Sequence, residues 1–304
     1  MSPAVLCLGE TMVVLAPQAG GALHVGAALT LGVGGAESNT AVALRRGGVD
    51  AAWAGLLGED ALGDVVARFL AQHGLDTSLV ERRALPTGLY VKTTTAAGTV
   101  APLYYRRGSA ASTMDASLAR RWARAARPRV VHVSGITAQI STAGEEFLHA
   151  VCIERVFGDA IVSFDVNHRP ALAGPTTPES LLRLARASDI VFVGADEART
   201  TWGAPATDLP ALLTGPRHLI VKDAAVEATE HHAGGAVSVA APRLDVVDPV
   251  GAGDAFAAGW LTAWLAGADA AGRLGAGHRE AARALASAGD VAEAADLENG
   301  AGVS

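Results

Sequence analysis

Short apolar runs alternate with amphipathic segments along most of this chain. Residues 4–9 predict a buried strand, residues 40–46 predict a helix that ends at Gly47 and Gly48, and residues 51–57 predict another strand. The next segment predicts a helix with one apolar face, formed by Leu62, Val65, Val66, Phe69 and Leu70. This alternation is typical of βαβ units, so it predicts a mostly parallel sheet covered by helices.

The same alternation returns in the second half of the chain. Strands are predicted at residues 129–134, 160–165, 190–193 and 218–221, and helices at residues 142–155, 179–187, from about 196, and 279–288. Residues 237–247 predict a further strand, directly before an apolar helix that carries Phe256, Trp260, Leu261, Trp264 and Leu265. Because no linker, repeat or low-complexity stretch divides the chain, we expect one domain over residues 1–304.

Residues 88–107 interrupt the alternation. Residues 88–95 and 100–106 are rich in strand-forming side chains, and Ala96-Ala97-Gly98-Thr99 between them predicts a hairpin turn. A hairpin between βα units does not join a parallel sheet easily, so we expect a small β lid, together with extended segments near residues 12–33. The unpaired edges of such a lid could be covered by a second subunit, which predicts a homo-oligomer.

Composition and charge exclude several classes of protein. Half of the 304 residues are hydrophobic and 18% are charged, as expected for a large buried core. The net charge of −7 disfavours nucleic-acid binding, and the longest apolar stretch, residues 255–268, is too short to span a bilayer. Cys7 and Cys152 are too few for a disulfide framework. With no signal-peptide pattern at the N-terminus, these features predict a cytoplasmic protein without membrane partners.

The stretch Asp248-Pro249-Val250-Gly251-Ala252-Gly253-Asp254 opens the apolar helix. Small residues let the backbone approach a ligand, and the free amides of a helix N-terminus attract anions such as phosphate. A carboxylate there is repelled by phosphate unless it takes a proton from the hydroxyl that attacks the phosphate, which is the role we expect for Asp254. Taken alone, the pattern equally fits a Gly-rich turn with an ordinary acidic residue in the first helical turn.

Further polar residues follow the other predicted strands. Ligands of open parallel sheets bind beyond the carboxyl ends of the strands, so these residues should share one rim with the Asp254 stretch. They are Gly34, Gly35 and Asn39; Asp165, Asn167, His168 and Arg169; residues 194–197; and Lys222 with Asp223.

Several familiar catalytic motifs are absent from the sequence. It contains no Gly-x-x-x-x-Gly-Lys-Ser/Thr phosphate loop and no Gly-x-Ser-x-Gly elbow. Gly9-Glu10-Thr11 follows the first strand, where a nicotinamide-binding fold has Gly-x-Gly-x-x-Gly. The histidines show no zinc-ligand spacing with the cysteines, and His231-His232 predicts a solvent-facing turn.

Three motifs, in order, resemble the PfkB, or ribokinase-like, carbohydrate kinases. They are Gly34-Gly35-Ala36 with Asn39, Asp165-x-Asn167-x-Arg169, and Asp248-x-x-Gly251-Ala252-Gly253-Asp254. The resemblance implies a three-layer αβα sandwich with a mostly parallel central sheet of about nine strands and a small β lid. It also implies ATP- and Mg²⁺-dependent phosphorylation of a sugar hydroxyl.

The resemblance assigns roles to single residues. Asp254 is the catalytic base, and the amides of Gly251, Ala252 and Gly253 stabilise the transferred phosphoryl group. Gly34, Gly35 and Asn39 bind the sugar, while Asn167, Glu197 and Lys222 lie on the nucleotide side. Glu197 would hold Mg²⁺ through a water, because magnesium keeps much of its hydration shell. Two alternatives stay open: Lys222 could form a structural salt bridge, and Asp248 could either bind a monovalent cation or cap its loop.

A narrower resemblance lies on the predicted hairpin. The stretch Tyr104-Tyr105-Arg106-Arg107-Gly108-Ser109-Ala110-Ala111, followed by Val133-Ser134-Gly135-Ile136-Thr137, is similar to the 2-keto-3-deoxygluconate kinase branch. It implies that Arg106 and Arg169 bind the carboxylate of a sugar acid through paired hydrogen bonds, with Tyr90, Tyr104 and Ile136 beside the sugar. Tyr-Tyr-Arg could instead be cross-strand packing with an exposed arginine.

The sequence departs from the family pattern on the nucleotide side. Ala224, Ala225 and Glu227 stand where related kinases usually have glycines, and Gly194 stands where Asn or Ser is usual. We therefore expect a kinase that converts 2-keto-3-deoxygluconate to its 6-phosphate, with unusual ATP contacts. The alternatives are a fructokinase or other neutral-sugar kinase, and a non-catalytic sugar-binding relative.

Overall fold

The structure, a computed structural model, describes residues 2–18, 23–93, 102–244 and 246–286. In chain order its helices and strands are β1 (Val5–Leu8), β2 (Met12–Pro17), β3 (Leu29–Gly34), α1 (Ala36–Arg46), β4 (Ala51–Ala54), β5 (Leu56–Gly58), α2 (Ala61–Gln72), β6 (Glu81–Arg83), β7 (Leu89–Val91), β8 (Leu103–Tyr105), α3 (Ala116–Ala125), β9 (Val130–Ser134), α4 (Ile136–Ile140), α5 (Thr142–Leu148), β10 (Ile161–Asp165), α6 (Thr177–Ala187), β11 (Ile190–Gly194), α7 (Ala195–Trp202), α8 (Leu209–Leu212), β12 (His218–Asp223), β13 (Glu227–His232), β14 (Gly235–Ala240), α9 (Ala252–Leu265) and α10 (Ala270–Leu285).

A central sheet of eight strands runs in the order β14-β13-β12-β11-β10-β9-β1-β4. The six strands from β12 to β4 are parallel to their neighbours, and β13 and β14 add an antiparallel edge. The prediction of a mostly parallel sheet is confirmed. The sheet has eight described strands, where the family resemblance implied about nine.

Both faces of the sheet are buried, which explains why its strands are apolar throughout instead of alternating. Leu6 and Leu8 point to one face, where Trp122 of α3 and Phe147 of α5 cover them. Side chains of β1 that point the other way pack with α1, α2, α9 and α10. The result is a helix–sheet–helix sandwich, as predicted.

A second sheet of four strands lies in the two stretches predicted as lid segments. Its order is β3-β2-β7-β8, and we call it the lid sheet. β7 pairs in parallel with β2 and antiparallel with β8, which places Tyr90 opposite Tyr104. The turn predicted at residues 96–99 lies outside the described residues. Over the ranges that the structure describes, no helix is long and apolar enough to cross a membrane.

Four predicted boundaries were wrong. The strand expected at residues 237–247 ends at Ala240, shortly before Pro242, which has no backbone N–H to donate to a neighbouring strand. The run at residues 51–57 is two strands, because β4 joins the central sheet and β5 pairs with β6. The α-helical part of residues 142–155 ends at Leu148 and continues as a π-helical turn. The last helix begins at Ala270 instead of 279, since glycines obscure its apolar periodicity.

One motif was assigned to the wrong kind of element. His231 and His232 end strand β13 instead of forming a turn, and both are only partly exposed. The strand escaped prediction because one of its two buried side chains, Glu230, is charged. His218, Trp260 and Arg273 hydrogen-bond to that carboxylate and satisfy it.

We predict that close packing between α9 and α10 depends on Gly259. A Cβ at this position would lie 2.4 Å from the carbonyl oxygen of Ala276, so Gly259→Ala forces the helices apart. We expect a loss of about 1–3 kcal/mol in the free energy of unfolding, measured by urea denaturation. Gly275→Ala is the control, because its Cβ would meet only the flexible end of Arg279, at 3.4 Å. The control should gain up to about 1 kcal/mol; equal losses in both variants would contradict the packing argument.

Candidate active site

A cavity of about 560 Å³ lies between the lid sheet and the carboxyl ends of the parallel strands. It brings together almost every residue proposed from the sequence, although these residues are spread over more than two hundred positions. The predicted residues that line it are Gly34, Gly35, Asn39, Tyr90, Tyr104, Arg106, Ile136, Asn167, Arg169, Glu197, Lys222, Gly251, Gly253 and Asp254.

A second cavity, of about 650 Å³, adjoins the first at the N-terminus of α9. Gly194, Glu197, Lys222 and Gly253 line both cavities. The rest of the second lining is largely apolar, and Ala252 lies here instead of in the first cavity; further lining residues are Ala224, Ala225, Val246, Phe256, Ala281 and Leu285. The two cavities therefore meet at the amides that open the helix.

Backbone conformation at Gly251 aims those amides at the cavity. Gly251 is the N-cap of α9 and has φ 80°, a left-handed conformation that glycine adopts without steric cost. Ala252, Gly253 and Asp254 form the first turn, whose N–H groups have no partner within the helix. The interpretation of this stretch as an anion-binding helix start thus agrees with its geometry.

Asp254 is held at this helix start by helix α1. The Asn39 side-chain amide donates to Asp254 Oδ2 at 2.9 Å, and the Thr40 hydroxyl donates to the Asp254 carbonyl oxygen at 3.3 Å. The other amide atom of Asn39, Oδ1, is buried and accepts no hydrogen bond from the described residues. That oxygen is available to a ligand hydroxyl. The start of α1 packs closely against the chain after β1, because a Cβ at its N-cap, Gly35, would lie 2.4 Å from the carbonyl oxygen of Glu10.

The environment of Asp254 suits a general base. The pKa of the Asp254 carboxyl is raised to about 7, mainly by burial. The hydrogen bond from Asn39 and the charges of Arg169 and Lys222 oppose this shift, and the charge of Asp165 adds to it. A base whose pKa lies near the working pH combines a useful deprotonated fraction with a useful affinity for the proton.

A second carboxyl, Glu37, is buried in the wall of the same cavity. The backbone N–H and the hydroxyl of Ser134 donate to Glu37 Oε1 at 3.0 Å and 2.6 Å. The pKa of Glu37 is raised to about 7, mainly by burial. The Ser134 hydrogen bonds oppose this shift, and the charge of Asp254 adds to it. Two buried carboxyls of raised pKa therefore line the same cavity.

Two carboxylates and a lysine are neighbours in the lining of the first cavity. Lys222 Nζ donates to Asp165 Oδ2 at 2.9 Å, so the salt bridge considered for Lys222 is present, and the lysine lines both cavities as well. Burial lowers the pKa of Lys222, but the charges of Asp165 and Glu197 more than offset it and leave that pKa raised. Glu197 accepts from the backbone N–H groups of Gly194, at 2.8 Å, and of His168. Burial, followed by the charge of Asp165, raises the pKa of Glu197.

Two residues that line the cavities have a left-handed backbone conformation. Asn167 has φ 44°, a conformation that asparagine tolerates better than most residues and that turns its side chain into the first cavity. Ala224 has φ 37°. The loop after β12 thus has a backbone conformation that favours glycine, although alanine occupies it.

Arg106, proposed to bind a substrate carboxylate, is paired with a carboxylate of the protein itself. Its Nε donates to Glu10 Oε2 at 2.7 Å and its Nη2 pairs with the same oxygen, while the Ser109 hydroxyl donates to Glu10 Oε1 at 2.7 Å. The side chains of Arg106 and Glu10 are only 7% and 1% exposed. Tyr104 packs against Tyr90, with ring centroids 5.5 Å apart, so the cross-strand packing considered for this motif is present without an exposed Arg106.

Arg169, in contrast, is exposed and lines the cavity. Its backbone N–H donates to Gln139 Oε1 at 2.8 Å. Within the described ranges its guanidinium forms no hydrogen bond or ion pair. It is therefore available to an anionic group that enters beside Asp254.

Asp248 lies outside the lining of both cavities and caps its loop. Its Oδ1 accepts from the Val250 N–H at 3.0 Å, and its Oδ2 is ion-paired with Lys92 Nζ at 2.8 Å. The capping alternative is thus observed. Among the described residues, no group of three or more His, Cys, Asp or Glu side chains is placed to hold a metal ion.

Sequence reasoning missed three charged residues of the site, namely Glu10, Glu37 and Lys92. Each has a signal in the sequence. Glu37 directly follows the Gly34-Gly35-Ala36 motif, Glu10 breaks an apolar run after the first strand, and Lys92 is one of only two lysines in the sequence. A charge at such a position needs a partner, but the partner cannot be identified from the sequence.

Comparisons with known proteins agree with this geometry. The profile of the pfkB family carbohydrate kinases matches residues 2–295. The chain belongs to that family, and it is an ATP-dependent carbohydrate kinase with a ribokinase-like fold.

The relatives include kinases named for a sugar acid and kinases named for a neutral sugar. A 2-dehydro-3-deoxygluconokinase of Bacillus subtilis (strain 168) is 32% identical over 268 residues, which cover 85% of this chain and 82% of the relative. A fructokinase of Rhizobium leguminosarum bv. trifolii is 27% identical, over 84% of this chain and 78% of the relative. The crystal structure of a PfkB protein from Polaromonas sp. JS666 has a TM-score of 0.83 at 29% identity and covers 99% of this chain and 100% of its own.

We predict that Asn39 sets the acidic limb of the pH–rate profile. A base acts only when deprotonated, so wild-type kcat/KM should fall as the pH drops through about 7. The Asn39 hydrogen bond lowers the pKa of Asp254, so Asn39→Ala should move that limb upward by about half to one pH unit. Profiles normalised to their plateaus measure this change. Arg45→Gln, at the far end of the same helix, should leave the limb in place; an unchanged or lowered limb in Asn39→Ala would reject the role.

Proposed function

We propose that this kinase phosphorylates a sugar acid, 2-keto-3-deoxygluconate, to its 6-phosphate. The observation that carries the proposal is the guanidinium of Arg169, which is exposed in the cavity of Asp254 without a partner among the described residues. Guanidinium binds carboxylate through two parallel, charge-assisted hydrogen bonds. The 2-dehydro-3-deoxygluconokinase relative supports the same assignment.

In this proposal Asp254 takes the proton of the attacking hydroxyl. Asn39 positions the carboxylate, and Oδ1 of Asn39 can accept a hydrogen bond from a second hydroxyl of the sugar. The amides of Gly251, Ala252 and Gly253 face the point where the two cavities meet, so they can stabilise negative charge on the phosphoryl group as it passes from one cavity to the other.

The second cavity fits the nucleotide. Its apolar wall, which includes Val246, Phe256 and Leu285, suits a purine base, and its mouth at Lys222 and Gly253 faces the sugar cavity. Asn167 and Glu197 would hold Mg²⁺ through its waters, because magnesium binds proteins through few direct ligands. When bound, the ion neutralises charge on the phosphates of ATP.

Arg106 has a modified role in this proposal. Since Glu10 already balances its charge, Arg106 would contribute a fixed hydrogen-bond donor to the sugar, together with Tyr90 and Tyr104. The net positive charge that selects a carboxylate then comes from Arg169.

Further expectations from the sequence extend the proposal. The lid sheet would close over the sugar as part of a single domain, and its exposed Leu29, Leu31, Leu103 and Tyr105 support an oligomer that covers them. Two buried, unpaired cysteines are compatible with a cytoplasmic location. A monovalent cation at Asp248 stays a prediction, which a potassium titration of the rate would test.

The second candidate is a neutral-sugar kinase such as a fructokinase. The neutralisation of Arg106 by Glu10 favours it, because a single uncompensated arginine remains for a carboxylate. The fructokinase relative is compatible with this alternative.

We predict a preference for sugar acids that depends on Arg169. In a coupled assay with ATP and Mg²⁺, 2-keto-3-deoxygluconate should be preferred over fructose and ribose. Arg169→Gln should lower kcat/KM for the acid about 10- to 100-fold and change the rate with neutral sugars little. Because Arg169 also lowers the pKa of Asp254, the rates should be compared at pH 8.5, where the base is deprotonated in both proteins.

Arg107→Gln provides the matched control, since Arg107 is an exposed lid arginine outside both cavities. It should retain the wild-type preference. A wild-type enzyme that prefers neutral fructose or ribose would overturn the sugar-acid proposal.

We predict that Asp254→Asn separates catalysis from stability. Turnover should fall by about 10²–10⁴-fold while sugar binding, measured by calorimetry, persists. Because the pKa of Asp254 is raised in the folded protein, its carboxylate destabilises the fold increasingly as the pH rises from about 4 to about 7. The Asn variant should therefore be about 1–3 kcal/mol more stable at pH 8 and gain less at pH 5. Retained activity would reject Asp254 as the base.

A further inference from the structure

An ion pair joins the lid sheet to the loop before α9. Lys92 Nζ lies 2.8 Å from Asp248 Oδ2, although the two residues are 156 positions apart in sequence. Their side chains are 16% and 21% exposed, so the pair is partly shielded from water. Screening by solvent and salt is weaker there than at a fully exposed pair.

The lysine end of the pair belongs to the lid. Lys92 directly follows strand β7, and its backbone N–H donates to the Leu15 carbonyl oxygen of β2 at 2.8 Å. This bond continues the pairing between the two central strands of the lid sheet. The position of the ammonium group therefore depends on the position of the lid.

The aspartate end belongs to the loop that presents the phosphoryl-binding amides. Asp248 Oδ1 accepts from the Val250 N–H at 3.0 Å, and Gly251, the next residue, is the left-handed N-cap of α9. One carboxylate thus contacts the lid through one oxygen and the loop through the other. Lys92 and Gly251 both line the sugar cavity, so the connection passes along its rim.

We propose that Lys92 is a positioning residue for phosphoryl transfer: its ion pair with Asp248 couples the closed lid to the conformation of the amides at Gly251–Gly253. Closing the lid brings the ammonium to Asp248, and Asp248 holds the turn at Val250 that aims the amides. The amides are then ordered when the sugar is enclosed. An open lid leaves them less ordered, which keeps ATP from reacting with water before the sugar is bound.

The inference rests on the kinase activity proposed for this site, but it does not require the sugar-acid assignment. Its test uses whichever sugar the wild-type enzyme phosphorylates. If no sugar acid is a substrate, the substrate proposal fails and the test of Lys92 can still be done with a neutral sugar.

The test compares Lys92→Met, Asp248→Asn and the double variant. Methionine keeps much of the length of lysine without its charge, and asparagine keeps an oxygen for the Val250 N–H while losing the ionic attraction to Lys92. Each single variant should lower kcat about tenfold, with KM for sugar and ATP changed less than about twofold. The double variant should lose no more than either single one, because both changes break the same pair. ATP hydrolysed per sugar phosphorylated should rise in all three.

Arg107→Met serves as the control for loss of a lid cation and should retain wild-type kcat. Thermal unfolding confirms that each variant is folded, and Asp248→Asn tests the pair from the side opposite to Lys92. Two results would overturn the proposal. Losses in kcat that multiply in the double variant would mean that the residues act separately. A raised KM with unchanged kcat in Lys92→Met would mean that the lysine only binds substrate.

Discussion

The hydrogen bond between Asn39 and Asp254 is the contact on which the arrangement of the site depends. It joins the first turns of α1 and α9, two helices far apart in sequence that pack side by side under the same face of the central sheet. Both helices direct N-terminal amides toward the cavity, so a carboxylate between them is electrostatically favourable. Burial has the opposite effect, and the balance leaves Asp254 with a pKa near neutrality instead of the low value of an exposed aspartate. The fold thus places a carboxyl of raised pKa beside free helix amides, which is the combination that the proposed phosphoryl transfer needs.

Two other cations of the site, Lys222 and Arg106, are held by carboxylates of the protein. Lys222 is ion-paired with Asp165 and interacts electrostatically with Glu197, and Arg106 is ion-paired with Glu10. Buried charges are costly unless they are paired and hydrogen-bonded, and these groups have such partners. Arg169 is the arginine in this cavity that is left without a partner among the described residues. An arginine whose charge is not balanced within the protein attracts an anionic ligand, which is why we propose that Arg169 sets the substrate specificity.

The sequence predicted the sandwich, the position of the lid strands and most of the cavity lining. The strands, helices and residues at the strand ends follow from local signals, namely apolar runs, helical spacing and small residues after strands. Tyr90, Tyr104, Arg106 and Ile136 were instead proposed from the family resemblance. The antiparallel edge strands β13 and β14 were harder to predict, because Glu230 is a buried charge whose partners, such as Arg273, lie more than forty residues away. The same reason explains why the ion pair of Arg106 was not predicted. Its partner Glu10 is on the opposite side of the lid in sequence, and nothing local to either residue predicts a buried pair between them.

The buried pair of Glu10 and Arg106 also restricts how the lid can move. Glu10 lies between β1 of the central sheet and β2 of the lid sheet, whereas Arg106 directly follows the outer lid strand β8. Separating the two would leave an uncompensated charge in a dry environment, at a cost of about 3–5 kcal/mol. A rotation about the pair avoids that cost, because it keeps the guanidinium against the carboxylate. A lid that opens by such a rotation would admit the sugar at the edge farthest from the pair.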